Sequence, residues 1–193
     1  MSNLYYLYRP ELESGAIGDY ELALQGASIL LDAFLYGPND ALTSEEYVDG
    51  MTKQSQVMHL VLDSPPLEST PSVVAASTIE YEPEALGIAS MVFIDQLAVD
   101  EAHRGRGHAR ALLGDIATQA YAECMRGIIL DSLTSATGLY EKHGFEFVDV
   151  GSPAHVMTAV PAKVIKAVAR AASKSRYRQD PSDRIYYRYI QQA

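Results

Sequence analysis

Arg104-Gly105-Arg106-Gly107 alternates a guanidinium with a bare backbone. Glycine lets main-chain N–H groups approach a ligand closely, and arginine supplies charge-assisted donors that suit phosphate oxygens. Leu112, Leu113, Ile116, Ala120 and Cys124 then recur at helical spacing, so a helix begins near Ala109. A helix N-terminus adds amides without intrahelical partners and the positive end of its dipole. Upstream, residues 94–99 are apolar and partly alternating, as in a half-buried strand, and residues 100–103 are too polar to continue it. Strand, charged turn, glycines and helix together predict an anion cradle at Arg104, Gly105, Arg106, Gly107, His108 and Ala109. His103 and His108 flank it as surface groups or phosphate contacts rather than as bases.

The rest of the chain reads as short alternating elements. Residues 4–8 are an aromatic strand stopped by Pro10. A helix follows from Gly18 or Asp19 to about Tyr36, with Leu22, Gly26, Ile29, Leu30, Ala33 and Phe34 on one face. Thr43-Ser44-Glu45-Glu46 has the spacing of a capping box and opens a second helix. Strands are predicted at residues 57–62, 73–81 and 88–99, with residues 63–71 as a loop and Glu82-Pro83-Glu84 as a turn. Gly127 reads as a helix C-cap, ahead of a fully apolar strand at 128–130. A helix over 134–143 ends at Gly144, and strands follow at 145–150 and 155–160. The order is β-α-α-β-β-β-α-β-α-β-β.

Two stretches of this order resemble the signatures of the GNAT N-acetyltransferases. Arg104-Gly105-Arg106-Gly107-His108-Ala109 is similar to that family's acyl-CoA pyrophosphate loop, Gln/Arg-x-x-Gly-x-Gly/Ala. Leu139-Tyr140-Glu141-Lys142-His143-Gly144-Phe145 is similar to its second signature. The resemblance covers about residues 55–150, the first 50 residues by element order only, and not the last 30. It implies a mixed α/β fold with a mostly antiparallel central sheet flanked by helices, and acetyl-CoA as co-substrate. It implies that the strand Leu97-Ala98-Val99 pairs with the pantetheine arm, and that Tyr140 protonates the departing thiolate. A phenol can act in this way as a general acid. Asp95 and Gln96 occupy strand positions where many members carry a glutamate base; Asp95 suits that role and Gln96 does not. His143 falls at a variable position of the motif. Many members carry an asparagine ahead of the tyrosine helix, whereas this chain has Ser132 and Thr134 there. The acceptor would lie against residues 37–43 and the later strands.

Composition sets the outer bounds. The chain has 193 residues, enough for one domain with an appendage, and a formal net charge of −10, which argues against a general nucleic-acid binder. Its one cysteine, Cys124, excludes an internal disulfide and a cysteine-rich zinc site, and its spacing predicts a buried thiol. No metal is expected. No signal peptide or membrane span is apparent, so a cytoplasmic location is expected. Residues 161–193 depart from the rest. They hold 8 of the 15 basic residues and 2 of the 25 acidic ones, which gives 8 − 2 = +6 against 7 − 23 = −16 elsewhere. Residues 161–175 read as a helix, and beyond them arginines interleave with Tyr177, Tyr186, Tyr187 and Tyr189. The division is an acetyltransferase domain over 1–160 and a basic extension over 161–193. The extension is expected to dock on its own body and support a homo-oligomer, with nucleic acid as the second partner. The leading expectation is transfer of an acetyl group from acetyl-CoA to a primary amine of a small molecule or protein. Two alternatives stand beside it: a non-catalytic protein of the same fold docking a partner through its tail, and a Rossmann-type dinucleotide binder.

Overall fold

The computed structural model describes residues 3–8, 17–34, 42–53, 57–63, 72–85, 88–148 and 155–174. The elements are β1 (Asn3–Tyr8), α1 (Ile17–Ala33), α2 (Ser44–Lys53), β2 (Val57–Asp63), β3 (Ser72–Ala85), β4 (Ile88–Val99), α3 (His108–Ala122), β5 (Gly127–Asp131), α4 (Thr137–Lys142), β6 (Glu146–Phe147), β7 (Val156–Ala159) and α5 (Pro161–Lys174). The strands hydrogen-bond in the order β1-β2-β3-β4-β5-β7-β6. β1 pairs antiparallel with β2, as β7 does with β5 and β6, while β4 runs parallel to β5. This mixed, mostly antiparallel sheet is the expected one. The Rossmann alternative falls here, because a doubly wound sheet needs consecutive parallel strands.

The chain forms two compact units. The first takes in α1, α2, β1, β2 and residues 96–112. Its core joins Ala23, Ala27 and Leu30 of α1 to Val48 and Met51 of α2, and to Met58, Leu60, Leu62, Ala76 and Ala98 of the strands. Of the expected face of α1, Gly26 and Leu30 are buried and Leu22, Ile29 and Phe34 are half-buried against this core, while Ala33 is exposed; Ala23 and Ala27 complete the buried face. Gly26 sets the close approach, since a Cβ there would run into Leu60 and Met58. The helix approaches the strand on its smallest side chains. α2 opens on the predicted capping box. Thr43 N–H donates to Glu46 Oε2 at 2.8 Å, and Glu46 N–H donates to Thr43 Oγ1 at 3.2 Å.

The second unit takes in residues 79–95 and those from Leu113 onward through β5, α4, β6, β7 and α5. The buried Gly127 opens β5 rather than capping a helix, and a Cβ there would meet Met91 of β4 at 2.6 Å. The cap of α3 falls three residues earlier. Cys124 takes a left-handed φ of 58°, Met125 N–H donates to Ala120 O at 2.8 Å, and Cys124 N–H donates to Tyr121 O at 3.2 Å. That is the Schellman closure with cysteine in the usual glycine place. It turns the thiol outward, so Cys124 is exposed and not buried as its spacing predicts. Other boundaries also shift. β3 continues to Ala85 through Pro83, whose fixed φ tolerates an extended chain; α4 begins at Thr137, and β6 has two residues. α5 packs within this unit: Val164 is fully buried, Val168 faces Gly114 of α3, Lys163 lies over Gly144, and Lys163 forms an ion pair with Glu146. The tyrosine–arginine run after residue 174 lies outside the described residues.

Candidate functional site

In the first unit, the cradle is held by local bonds. Asp100 N–H donates to Val74 O at 3.0 Å, anchoring the end of β4, and the Asp100 carboxylate accepts from Ala102 N–H at 3.0 Å to cap a single 3-10 turn, Glu101–His103. His103 Nδ1 lies 2.7 Å from the same carboxylate. That hydrogen bond holds the Asp100 carboxyl below its ordinary value. His103 is thus spent on Asp100. Arg104 Nε donates to Val99 O and Arg106 Nη2 to Ala102 O, both at 3.2 Å. Both arginines are exposed, and each keeps most of its five donors for a ligand. Gly105 and Gly107 take φ values of 77° and 91°, a region costly for any residue with a Cβ. Gly107 O accepts the first helical bond of α3, from Ala111 N–H at 3.0 Å, so the amides of Ala109 and Arg110 precede it. Among the described residues, no acceptor meets the N–H groups of Gly105, Arg106 and Gly107. Such a loop of outward amides and two guanidinium groups fits a diphosphate. His108 is buried at the start of α3.

Sequence reasoning overlooked Arg110. Its guanidinium folds back over Gly107, with Nη2 2.8 Å from the place a Cβ would occupy there. Among the described residues it has no carboxylate partner. The only sequence signal was a third arginine one position past the glycine motif.

β4 supplies the neighbouring strand. Ala98 points into the α1–α2 core, while Leu97 and Val99 face the opposite side, against Val61, Val74, Ala75 and Leu112. In the second unit, the β4–β5 ladder stops at Ile94↔Leu130, five residues before the end of β4. A strand that outlasts its ladder has main-chain groups to offer an extended ligand. Asp95 is exposed and is the first residue past the last pair. Gln96 turns to the other face and is buried. Its side-chain Oε1 accepts from Tyr47 Oη at 2.5 Å, and its main-chain O accepts from Ser77 Oγ at 2.7 Å.

Tyr140 belongs to the second unit. α4 closes in a Schellman motif: Phe145 N–H donates to Tyr140 O and Gly144 N–H to Glu141 O, both at 3.1 Å, with Gly144 at φ 90°. This motif brings an apolar contact between its two ends. Here the contact is Phe145 edge-on to Tyr140, with ring centroids 5.6 Å apart. The second sequence signature is therefore a helix stop that locks the tyrosine ring. Tyr140 is 8% exposed, and burial pushes its phenol up to about 12. Among the described residues, no hydrogen-bond partner holds its hydroxyl. A phenol bonded to backbone would have argued for a packing role. A neutral phenol with its proton available suits an acid. His143 is buried, with Nδ1 2.8 Å from Leu139 O, which fits a structural role. Ser132 is buried and its hydroxyl donates to Leu133 O at 3.0 Å, so it serves the turn, while Thr134 is exposed. Among the described residues, no three His, Cys, Asp or Glu side chains gather as metal ligands, and no helix is long and apolar enough to cross a membrane.

Residues 72–147, which hold both signatures, match the family model of the acetyltransferase (GNAT) domain. Solved structures share the fold. The NatC complex bound to Gag peptide and CoA aligns at 18% identity and a TM-score of 0.57, covering 83% of this chain and 99% of that one. A Trypanosoma brucei acetyltransferase aligns at 21% identity and 0.55, covering 75% and 94%. AtaTR bound with acetyl-CoA aligns at 14% identity and 0.56, covering 86% and 97%. No curated protein matches the sequence. The chain shares its mixed α/β fold with these structures, and residues 72–147 are similar to the GNAT acetyltransferase domain.

Proposed function

We propose that the protein is an N-acetyltransferase that moves the acetyl group of acetyl-CoA to a primary amine. The observation that carries this reading is the cradle: three backbone amides, a helix start and two exposed arginines gathered at a left-handed glycine turn. Similar folds are solved with CoA or acetyl-CoA bound. Arg104, Arg106 and the amides of residues 105–109 hold the diphosphate, Arg110 adds a third cation, and the unladdered end of β4 at Leu97, Ala98 and Val99 pairs with the pantetheine arm.

The chemistry needs two proton movements. The attacking amine must lose a proton, and the thiolate leaving the thioester must gain one. Tyr140 supplies the second; its burial keeps the phenol protonated across the physiological range. Asp95 receives the first through water, since its carboxylate stands in solvent at the point where β4 leaves β5. The amine nitrogen forms a bond to the acetyl carbonyl carbon, the C–S bond breaks, and the products are an N-acetyl amine and free CoA.

The test is thiol release from acetyl-CoA with a panel of primary amines. Amine-dependent release supports the reading. Tight acetyl-CoA binding without release for any amine would leave the non-catalytic alternative, a folded body with a docking tail.

A further inference from the structure

This inference rests on the acetyltransferase reading and concerns the acceptor. Gln96 is 8% exposed and is fixed at both ends. Ser77 Oγ donates to its main-chain carbonyl at 2.7 Å, and Tyr47 Oη donates to its side-chain Oε1 at 2.5 Å. A carboxamide has two further donors on Nε2. Among the described residues nothing accepts from them, yet Nε2 is not sealed off from solvent. With Oε1 and the main-chain carbonyl both held, Nε2 is fixed in place, so a ligand acceptor that meets it there gains a hydrogen bond at little ordering cost. Tyr47 is half-buried, which places the pair where the core of α1, α2 and the strands meets solvent. Gln96 is also the second residue beyond the last β4–β5 pair, next to the strand end assigned to the pantetheine arm.

The chemistry of the group narrows the ligand. An amide N–H donor is neutral and meets an oxygen acceptor well; it offers nothing to a second ammonium group. The neighbouring carboxylate, Asp95, points to the opposite face of β4 and does not offset this. We propose that Gln96, clamped by Tyr47 and Ser77, reads the acceptor by donating from Nε2 to a carbonyl oxygen beside the acceptor amine. The substrate class is then an amine carrying a neighbouring neutral amide, as in an amino-acid amide or a peptide N-terminus, and not a polyamine.

The experiment compares kcat/KM for thiol release with glycinamide and with ethylenediamine, two amines of similar size. The wild-type protein should prefer glycinamide. Gln96→Met should shrink that preference roughly tenfold to a hundredfold, because a site built around a hydrogen bond discriminates through it. Gln96→Glu should shift preference toward the diamine by adding a carboxylate. Tyr47→Phe should shrink the preference less, since Ser77 still holds the main chain. Circular dichroism checks that each variant is folded, and Tyr47→Phe decides the matter if Gln96→Met is not. Equal use of both amines by the wild type, or an unchanged ratio in folded variants, overturns the inference while amine-dependent release keeps the broader reading. Absence of release with every amine overturns both.

Discussion

The cradle and the tyrosine turn both depend on a left-handed glycine at a helix end, and they use it in opposite ways. Gly107 stands at the start of α3, where the free groups are amides, and the turn before it keeps those amides facing outward among exposed arginines. Gly144 stands at the end of α4, where the free groups are carbonyls, and it closes them inward so that Phe145 packs on Tyr140. One end leaves amides open and the other buries a phenol. In the proposed reaction the same residue type would serve anion binding at one helix end and proton donation at the other.

Substitutions at the two ends should separate these roles. The largest effect is expected at the sealed end. Tyr140→Phe should lower kcat by roughly a hundredfold to ten-thousandfold while the acetyl-CoA dissociation constant changes little. Full turnover in this variant would reduce Tyr140 to a packing residue. At the open end, Gly107→Val should weaken acetyl-CoA binding by roughly tenfold or more, through the strained φ of 91° and the displaced Arg110. Gly105→Val should cost less, because the space around Gly105 is empty. Calorimetry on both variants would contradict the cradle if neither loses affinity.

A third prediction concerns pH. With the Tyr140 phenol raised to about 12, its acid form persists through pH 10, and the rate it supports falls only as pH approaches that value. The sign also applies to stability. The unfolded phenol ionises near its ordinary value of 10 while the folded one stays protonated, so stability is lost as pH rises from 10 toward 12. An ultraviolet difference titration of wild type against Tyr140→Phe that shows ionisation near 10 would contradict the burial argument.

The smallest effects come from the two Schellman closures. Gly144→Ala forces a Cβ into φ 90° and against Lys163 at 3.1 Å, and should cost about 1–2 kcal/mol. Cys124→Gly should do the reverse, stabilising by up to about 1 kcal/mol by relieving the left-handed cysteine. Melting curves that move in the same direction for both would contradict the assignment of these caps.

The glycine motifs, the capping box at Thr43 and the element order were legible because each is a local pattern with one backbone solution. Other features depended on contacts between distant parts of the chain. The close approach of α1 at Gly26 is set by Leu60 and Met58, residues more than thirty positions away, and it takes in Ala23 and Ala27, which the expected face of α1 did not include. Cys124 carried the periodicity of a buried residue, but the helix ended one turn short of where that pattern would have placed it inward. Residue type separates Asp95, a carboxylate able to act as a base, from Gln96, which cannot; only the sheet shows that Asp95 faces solvent and that Gln96 is held by Tyr47. Arg110 had no sequence signal stronger than its charge, and its position over Gly107 comes from the way α3 starts.

The proposed reaction is direct transfer from acetyl-CoA to an amine with Tyr140 as the proton donor. An incubation of the protein with isotope-labelled acetyl-CoA and glycinamide, followed by mass spectrometry, tests this most directly. The prediction is labelled N-acetyl glycinamide in equal amount to the free thiol, with no label left on the protein and little product in Tyr140→Phe. Label retained on Cys124, or thiol released without acetylated amine, would contradict it.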